Sequence, residues 1–130
     1  MTFAAITILI LFLVAWTAYT GGVPKKYLMR KCTGKNWKEK FPDSSKDEIR
    51  KFLRIFTDAF AFSGKKKLKF EPEDRVLDIY KALYPREWMA DALEVETLAE
   101  TIEAEYGINF EGLWSEDLTL GALFMAAKNA

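Results

Sequence analysis

The chain has 130 residues, half of them hydrophobic and 29% charged, and 19 Lys+Arg balance 19 Asp+Glu to a formal net charge of zero. Such a composition excludes a disordered polyelectrolyte and a collagen, and a single cysteine excludes an intramolecular disulfide. The chain has no histidine, which removes the usual zinc ligand and general base and with them every Ser-His-Asp or Cys-His set.

The first element is hydrophobic. Met1 to Pro24 carries no charged side chain; of the 19 residues from Thr2 to Thr20, 15 are apolar and four are threonines. As a helix this stretch spans roughly 30 Å, the thickness of a bilayer's hydrocarbon core. Trp16 and Tyr19 lie near its end, where amphipathic rings favour the headgroup layer, and Gly21-Gly22 with Pro24 stop it. A cleaved signal peptide would begin with a basic region and end on small residues, but no Lys or Arg precedes the apolar run and Ala18-Tyr19-Thr20 is a poor cleavage site. A buried core helix of this length would show some polar face. The reading is therefore an uncleaved transmembrane anchor over 1–24.

Next comes a basic stretch. Lys25, Lys26, Arg30, Lys31, Lys35, Lys38 and Lys40 give seven positive charges before residue 41, against Glu39 alone. Positive flanks stay cytoplasmic, which places the C-terminal domain in the cytosol, in the setting of a bacterial inner membrane. Lys25, Lys26, Arg30 and Lys31 form the membrane flank, and recruitment of anionic lipid is a weaker extension. Residues 25–43 read as a basic juxtamembrane tether with Trp37 and Phe41 as docking points. Cys32 reads as an inert thiol in a reducing compartment.

The zero net charge is a cancellation. Lys25 to Phe70 holds 15 Lys+Arg and five Asp+Glu, whereas Glu71 to Ala130 holds four against 14. The acidic half could steer a basic partner, pair with the basic half, or simply solvate a helical surface.

Within the domain expected at 44–130, Ser45 and Glu48 have the spacing of a capping box, predicting a helix from about Lys46 to Phe62. Ile49, Phe52, Leu53, Phe56 and Phe60 recur at three and four and form its buried face. Ser63-Gly64 ends it, and Lys65 to Lys69 reads as a basic loop. Glu71-Pro72-Glu73-Asp74 has the look of a helix entrance with Pro72 in the first turn, followed by the apolar stripe Val76, Ile79, Tyr80 and Leu83. Asp91 and Glu94 have cap and third-position spacing for a helix whose apolar side is Leu93, Val95, Leu98, Ile102 and Tyr106. Its acidic face is Glu94, Glu96, Glu100, Glu103 and Glu105, and Gly107 is its stop. Thr119 caps a last helix with Leu120, Leu123 and Phe124 turned inward. Nothing alternates with period two for long, so the fold class is all-α: an N-terminal transmembrane helix, then a small helical bundle.

Ala90-Asp91-Ala92-Leu93-Glu94, with Leu98, Ile102, Glu103, Glu105, Tyr106, Gly107 and Ile108, resembles the second helix of an acyl carrier protein. Leu118-Thr119-Leu120-Gly121-Ala122-Leu123 is similar to that family's last helix, and the resemblance covers about 45–127. It implies a four-helix bundle. It also implies a phosphopantetheine arm on a serine hydroxyl, but the equivalent position is Ala92, which has no oxygen to carry one. Thr97 lies further along the helix and Ser115 outside it. The expectation is a carrier fold without carrier chemistry, hence no cofactor. Carrier proteins meet basic patches on their partners through the acidic second helix, so the resemblance points to Glu94, Glu96, Glu100 and Glu103 as partner-binding residues.

No glycine-rich phosphate loop, CxxC or HExxH occurs, and Glu71, Glu73, Asp74 and Asp78 lack the spacing of a calcium loop. No enzyme, metal or nucleic-acid partner is expected. The leading function is a non-catalytic protein-interaction module at the cytoplasmic membrane face. The alternative is a lipid or acyl-chain binding protein that uses the phenylalanine-rich bundle interior.

Overall fold

The computed structural model describes residues 3–20, 22–84 and 93–130, with the helix at 16–20 described by its backbone alone. The chain is all-helical. Its α-helices are α1 (Phe3–Thr20), α2 (Lys25–Leu28), α3 (Gly34–Lys40), α4 (Lys46–Ala59), α5 (Val76–Leu83), α6 (Leu93–Tyr106), α7 (Phe110–Leu113) and α8 (Leu120–Lys128), and a 3-10 helix (Gly64–Lys69) lies between α4 and α5. Among the described residues no strand forms, and one isolated antiparallel bridge joins Arg75 to Thr119.

α1 is apolar on every side. All its described side chains, Phe3 to Ala15, are exposed to solvent, Phe3 by 91% and Ile8 by 67%. Among the described residues no helix is long and apolar enough to cross a membrane.

The core is built on α4. Ser45 Oγ accepts from the Glu48 backbone N–H at 3.1 Å and the Glu48 side chain returns to the Ser45 N–H at 3.5 Å, so the anticipated capping box is formed. From this start the three-and-four spacing buries Ile49, Phe52, Leu53 and Phe56 on one face, with Phe60 just beyond the helix end. α4 ends three residues earlier than the periodicity suggested, because the Phe62 N–H turns back to the Thr57 carbonyl at 2.8 Å and Ala61 takes a positive φ of 57°. Each fully buried phenylalanine contributes about 1.5–3 kcal/mol of transfer free energy.

The segment at 25–43 is not a tether. It folds as α2 and α3 and supplies three side chains that are almost entirely buried: Tyr27, Trp37 and Phe41. Trp37 does dock, as expected, with its ring against Phe41, Phe52 and Phe124. Its Nε1 donates to the Phe70 carbonyl at 2.8 Å, and Thr33 donates its backbone N–H and Oγ1 to the Leu68 carbonyl, both at 2.8 Å. These bonds lash the basic segment to the chain around the 3-10 helix, so the folded domain begins well before residue 44.

The Glu71 to Asp74 segment is also different from its sequence reading. It is a turn, with Pro72 buried and outside any helix, and α5 begins at Val76. The Pro72 carbonyl accepts the Gly121 N–H at 2.8 Å, which fixes the start of α8 against this turn. A Cβ on Gly121 would stand 2.9 Å from both the Pro72 carbonyl oxygen and the Pro72 Cβ, so only glycine permits this approach. Thr119 Oγ1 accepts from the Ala122 N–H at 3.1 Å, and Leu120, Leu123 and Phe124 are buried as expected.

Candidate functional site

α6 presents the acidic surface. Leu98 and Ile102 anchor it to the core, Val95 and Tyr106 are half-buried, and Leu93 is 58% exposed rather than part of the apolar face. The helix stops at Gly107, whose φ of +70° is a left-handed conformation that suits glycine. Asp91 and Ala92, expected from sequence to be the helix cap and the counterpart of the carrier serine, lie outside the described residues.

The glutamates do not form one uniform face. Glu94 is half-buried and accepts a hydrogen bond from the Tyr84 hydroxyl. Glu103 Oε1 accepts the Phe110 N–H at 3.1 Å, bridging the Gly107 turn and holding α7 to α6. Glu105 pairs with Lys51 of α4 at 2.5 Å and raises that lysine's pKa. Glu96 and Glu100 remain exposed, and among the described residues neither has an ion-pair or hydrogen-bond partner for its carboxylate. Of the four glutamates anticipated from sequence as partner-facing, Glu96, Glu100 and Glu103 are exposed and Glu94 is half-buried, and Glu94 and Glu103 also accept hydrogen bonds within the fold.

Beside Glu96 runs a groove of about 280 Å³ lined by Val95, Ala99, Phe110, Glu111 and Trp114 as well as Glu96 itself. Trp114 stacks on Phe110 with ring centroids 5.9 Å apart and stays 37% exposed. An apolar slot edged by two carboxylates suits a side chain or helix that is apolar along one strip and basic beside it. Sequence reasoning missed α7, Glu111 and Trp114. The signal was the Phe110/Trp114 pair at a spacing of four directly after the Gly107 stop.

The basic flank is divided too. Lys25, Lys26 and Lys31 are exposed, but Arg30 is half-buried and pairs with Asp74 at 2.6 Å and Glu71 at 3.9 Å. The hydrogen bond to Asp74 raises the Arg30 pKa. Asp74 also accepts the Glu71 N–H at 2.8 Å, and Glu73 meets Lys40 at 3.4 Å. The acids at 71–74 thus pair with the basic segment, and among the described residues no group of three or more Asp, Glu or Cys side chains could hold a metal ion. Beneath Arg30, burial and the nearby Asp74 and Asp78 push the Tyr27 hydroxyl up to about 12.

The phenylalanines that suggested an interior lipid pocket pack on one another. Phe56 lies 4.8 Å from Phe60 and 5.1 Å from Phe70, and Phe124 lies 4.9 Å from Phe41 and 5.3 Å from Phe52, centroid to centroid. Thr33, Ser44, Thr57 and Asp74, the buried polar residues described, all have hydrogen-bond partners.

No family model matches this chain, and neither a curated protein nor a solved structure does.

Proposed function

We propose that this chain is a membrane-anchored, acyl-carrier-like helical domain that lacks the phosphopantetheine serine and acts as a non-catalytic interaction module at the cytoplasmic membrane face. The observation that carries the proposal is the acid-edged apolar groove between α6 and α7, where Glu96, Glu111 and exposed Trp114 offer both charge and contact area to a basic partner. The resemblance is supported by the order of the long α4, the acidic α6 and the Thr119-capped α8, and the loss of carrier chemistry by Ala92. The anchor is supported by an N-terminal stretch without charge and by the exposed side chains of α1 from Phe3 to Ala15. A helix that is apolar on every side needs a buried or lipid environment.

Co-expression of the full chain with a phosphopantetheinyl transferase should leave its intact mass unchanged, and a gain of one arm would overturn the proposal. Partner recovery by the full chain should fall on E96K/E100K substitution, because each rim charge contributes about 0.2–1 kcal/mol and reversal turns attraction into repulsion. Equal recovery would remove the acidic surface from the reading. The anchor is tested separately: the chain should stay with membranes through an alkaline wash, and Leu11→Lys should release it.

A further inference from the structure

On the opposite charge half lies a second groove, of about 390 Å³, lined by Cys32, Gly34, Lys35, Lys38, Lys46, Ile49, Arg50 and Leu68. Its floor is apolar: Ile49 from the buried face of α4, the half-buried Leu68 from the 3-10 helix, and Gly34, which adds no side chain. Its walls are basic. Lys35 and Lys38 stand three apart on α3, and Lys46 and Arg50 stand one turn apart on α4, so each wall carries two cations and no carboxylate lines the groove. Lys38 donates to the Ser44 carbonyl at 2.7 Å, and Lys35 lies 3.8 Å from the exposed Glu39. Among the described residues Lys46 and Arg50 have no ion-pair or hydrogen-bond partner for their charged groups.

The floor is open because residue 34 is glycine. A Cβ there would meet Cys32 Sγ at 3.6 Å and the Leu68 methyls at 3.9 and 4.0 Å, which is ordinary contact, so nothing in the backbone demands glycine. Four cations around apolar ground complement a molecule with an anionic head and an apolar body. An inorganic anion would leave the floor wet, and a neutral lipid would leave Lys46 and Arg50 unmatched.

From this charge complementarity and the open floor we infer that the groove is a binding site for an anionic lipid, its phosphate or carboxylate head between Lys46, Arg50, Lys35 and Lys38 and the start of its chain on Ile49 and Leu68. The site is independent of the acidic groove on α6. It shares with the proposed function only the membrane as the source of the lipid.

Cys32 is the chain's single cysteine, exposed and on the rim, and so reports occupancy directly. The full chain in neutral-detergent micelles is treated with N-ethylmaleimide while phosphatidylglycerol, phosphatidylcholine or inorganic phosphate is added. Phosphatidylglycerol at about ten times its dissociation constant should slow modification about tenfold, since the thiol reacts only when the groove is empty. Phosphatidylcholine and phosphate should leave the rate unchanged. The K46E/R50E variant should need at least about 25-fold more phosphatidylglycerol for half-protection, about fivefold for each cation lost before the new carboxylates add repulsion. Gly34→Leu, which fills the floor without altering charge, should abolish lipid-dependent slowing relative to its own baseline. In C32S/S115C the reporter sits outside the groove, and its rate should not respond to lipid.

Equal protection by phosphatidylcholine, protection by phosphate alone, or equal slowing at the Ser115 position would each overturn the inference, as would full protection in K46E/R50E. The measurement does not require α1 to span a bilayer. A chain that leaves the membrane on alkaline washing but is protected by phosphatidylglycerol would lose the anchor and keep the groove.

Discussion

Residues 25–70 and 71–130 carry excess charges of equal size and opposite sign, yet they build the domain differently. The basic part supplies most of the buried aromatic rings: Tyr27, Trp37, Phe41, Phe52, Phe56, Phe60, Phe62 and Phe70. The acidic part is held mainly by aliphatic residues, Leu98, Ile102, Leu120 and Leu123, with Phe110 and Phe124. Lysines and arginines keep their charged heads in water on long stems, so a strongly basic segment can still bury the rings between them. The acids of α6 sit on short stems beside a narrower apolar stripe. Charge density therefore said nothing about which half is core. Pairs such as Arg30–Asp74, Lys40–Glu73 and Lys51–Glu105 then join the two halves.

The largest test of this contrast is Trp37→Ala. Its ring is fully buried and its Nε1 satisfies the Phe70 carbonyl, so the loss should be about 3–5 kcal/mol in chemical denaturation. A change near zero would restore the tether. Gly121→Ala comes next, with a sign that the helix alone would not give. Alanine normally favours a helix over glycine by about 1 kcal/mol, but here its methyl meets Pro72 backbone at 2.9 Å, and a net loss of about 1–3 kcal/mol is expected.

Alkaline titration addresses the basic half alone. Tyr27 is pushed up to about 12 by burial first and by Asp74 and Asp78 second, above its unfolded value of 10.0. The folded chain therefore keeps the phenolic proton where the unfolded chain has lost it. This contribution is fully present below pH 10 and is lost as pH rises toward 12, by about 2 kcal/mol. Tyr27→Phe, which keeps the ring against Phe70, should flatten that limb of the stability curve. The smallest effect belongs to the acidic half: Thr119→Ala removes one cap bond and should cost about 1 kcal/mol.

Local rules made α4 legible, because a cap and a three-and-four stripe act within neighbouring turns. The same holds for the Gly107 stop and the Thr119 cap. The basic segment was misread because its anchors, Tyr27, Trp37 and Phe41, are separated by lysines and follow no single period. Their partners are far along the chain, Phe70 for Trp37 and Asp74 for Arg30. Pro72 was misread for a similar reason, since a proline suits a helix start and a turn equally until Gly121 takes its carbonyl. At the candidate site, the sequence could place the glutamates on α6 but could not tell which would be drawn to Tyr84, Phe110 and Lys51.

The sequence by itself determined an all-helical chain, an uncharged N-terminal stretch and the two opposed charge halves. Each is a property of composition or of residues within a few turns. The tertiary structure alone decided that the basic segment contributes Tyr27, Trp37 and Phe41 to the core, that Glu94, Glu103 and Glu105 find partners within the fold, and that four cations line one apolar groove. Those outcomes depend on which distant surfaces meet, and the packing of buried rings and the pairing of charges choose among them only when the chain has closed on itself.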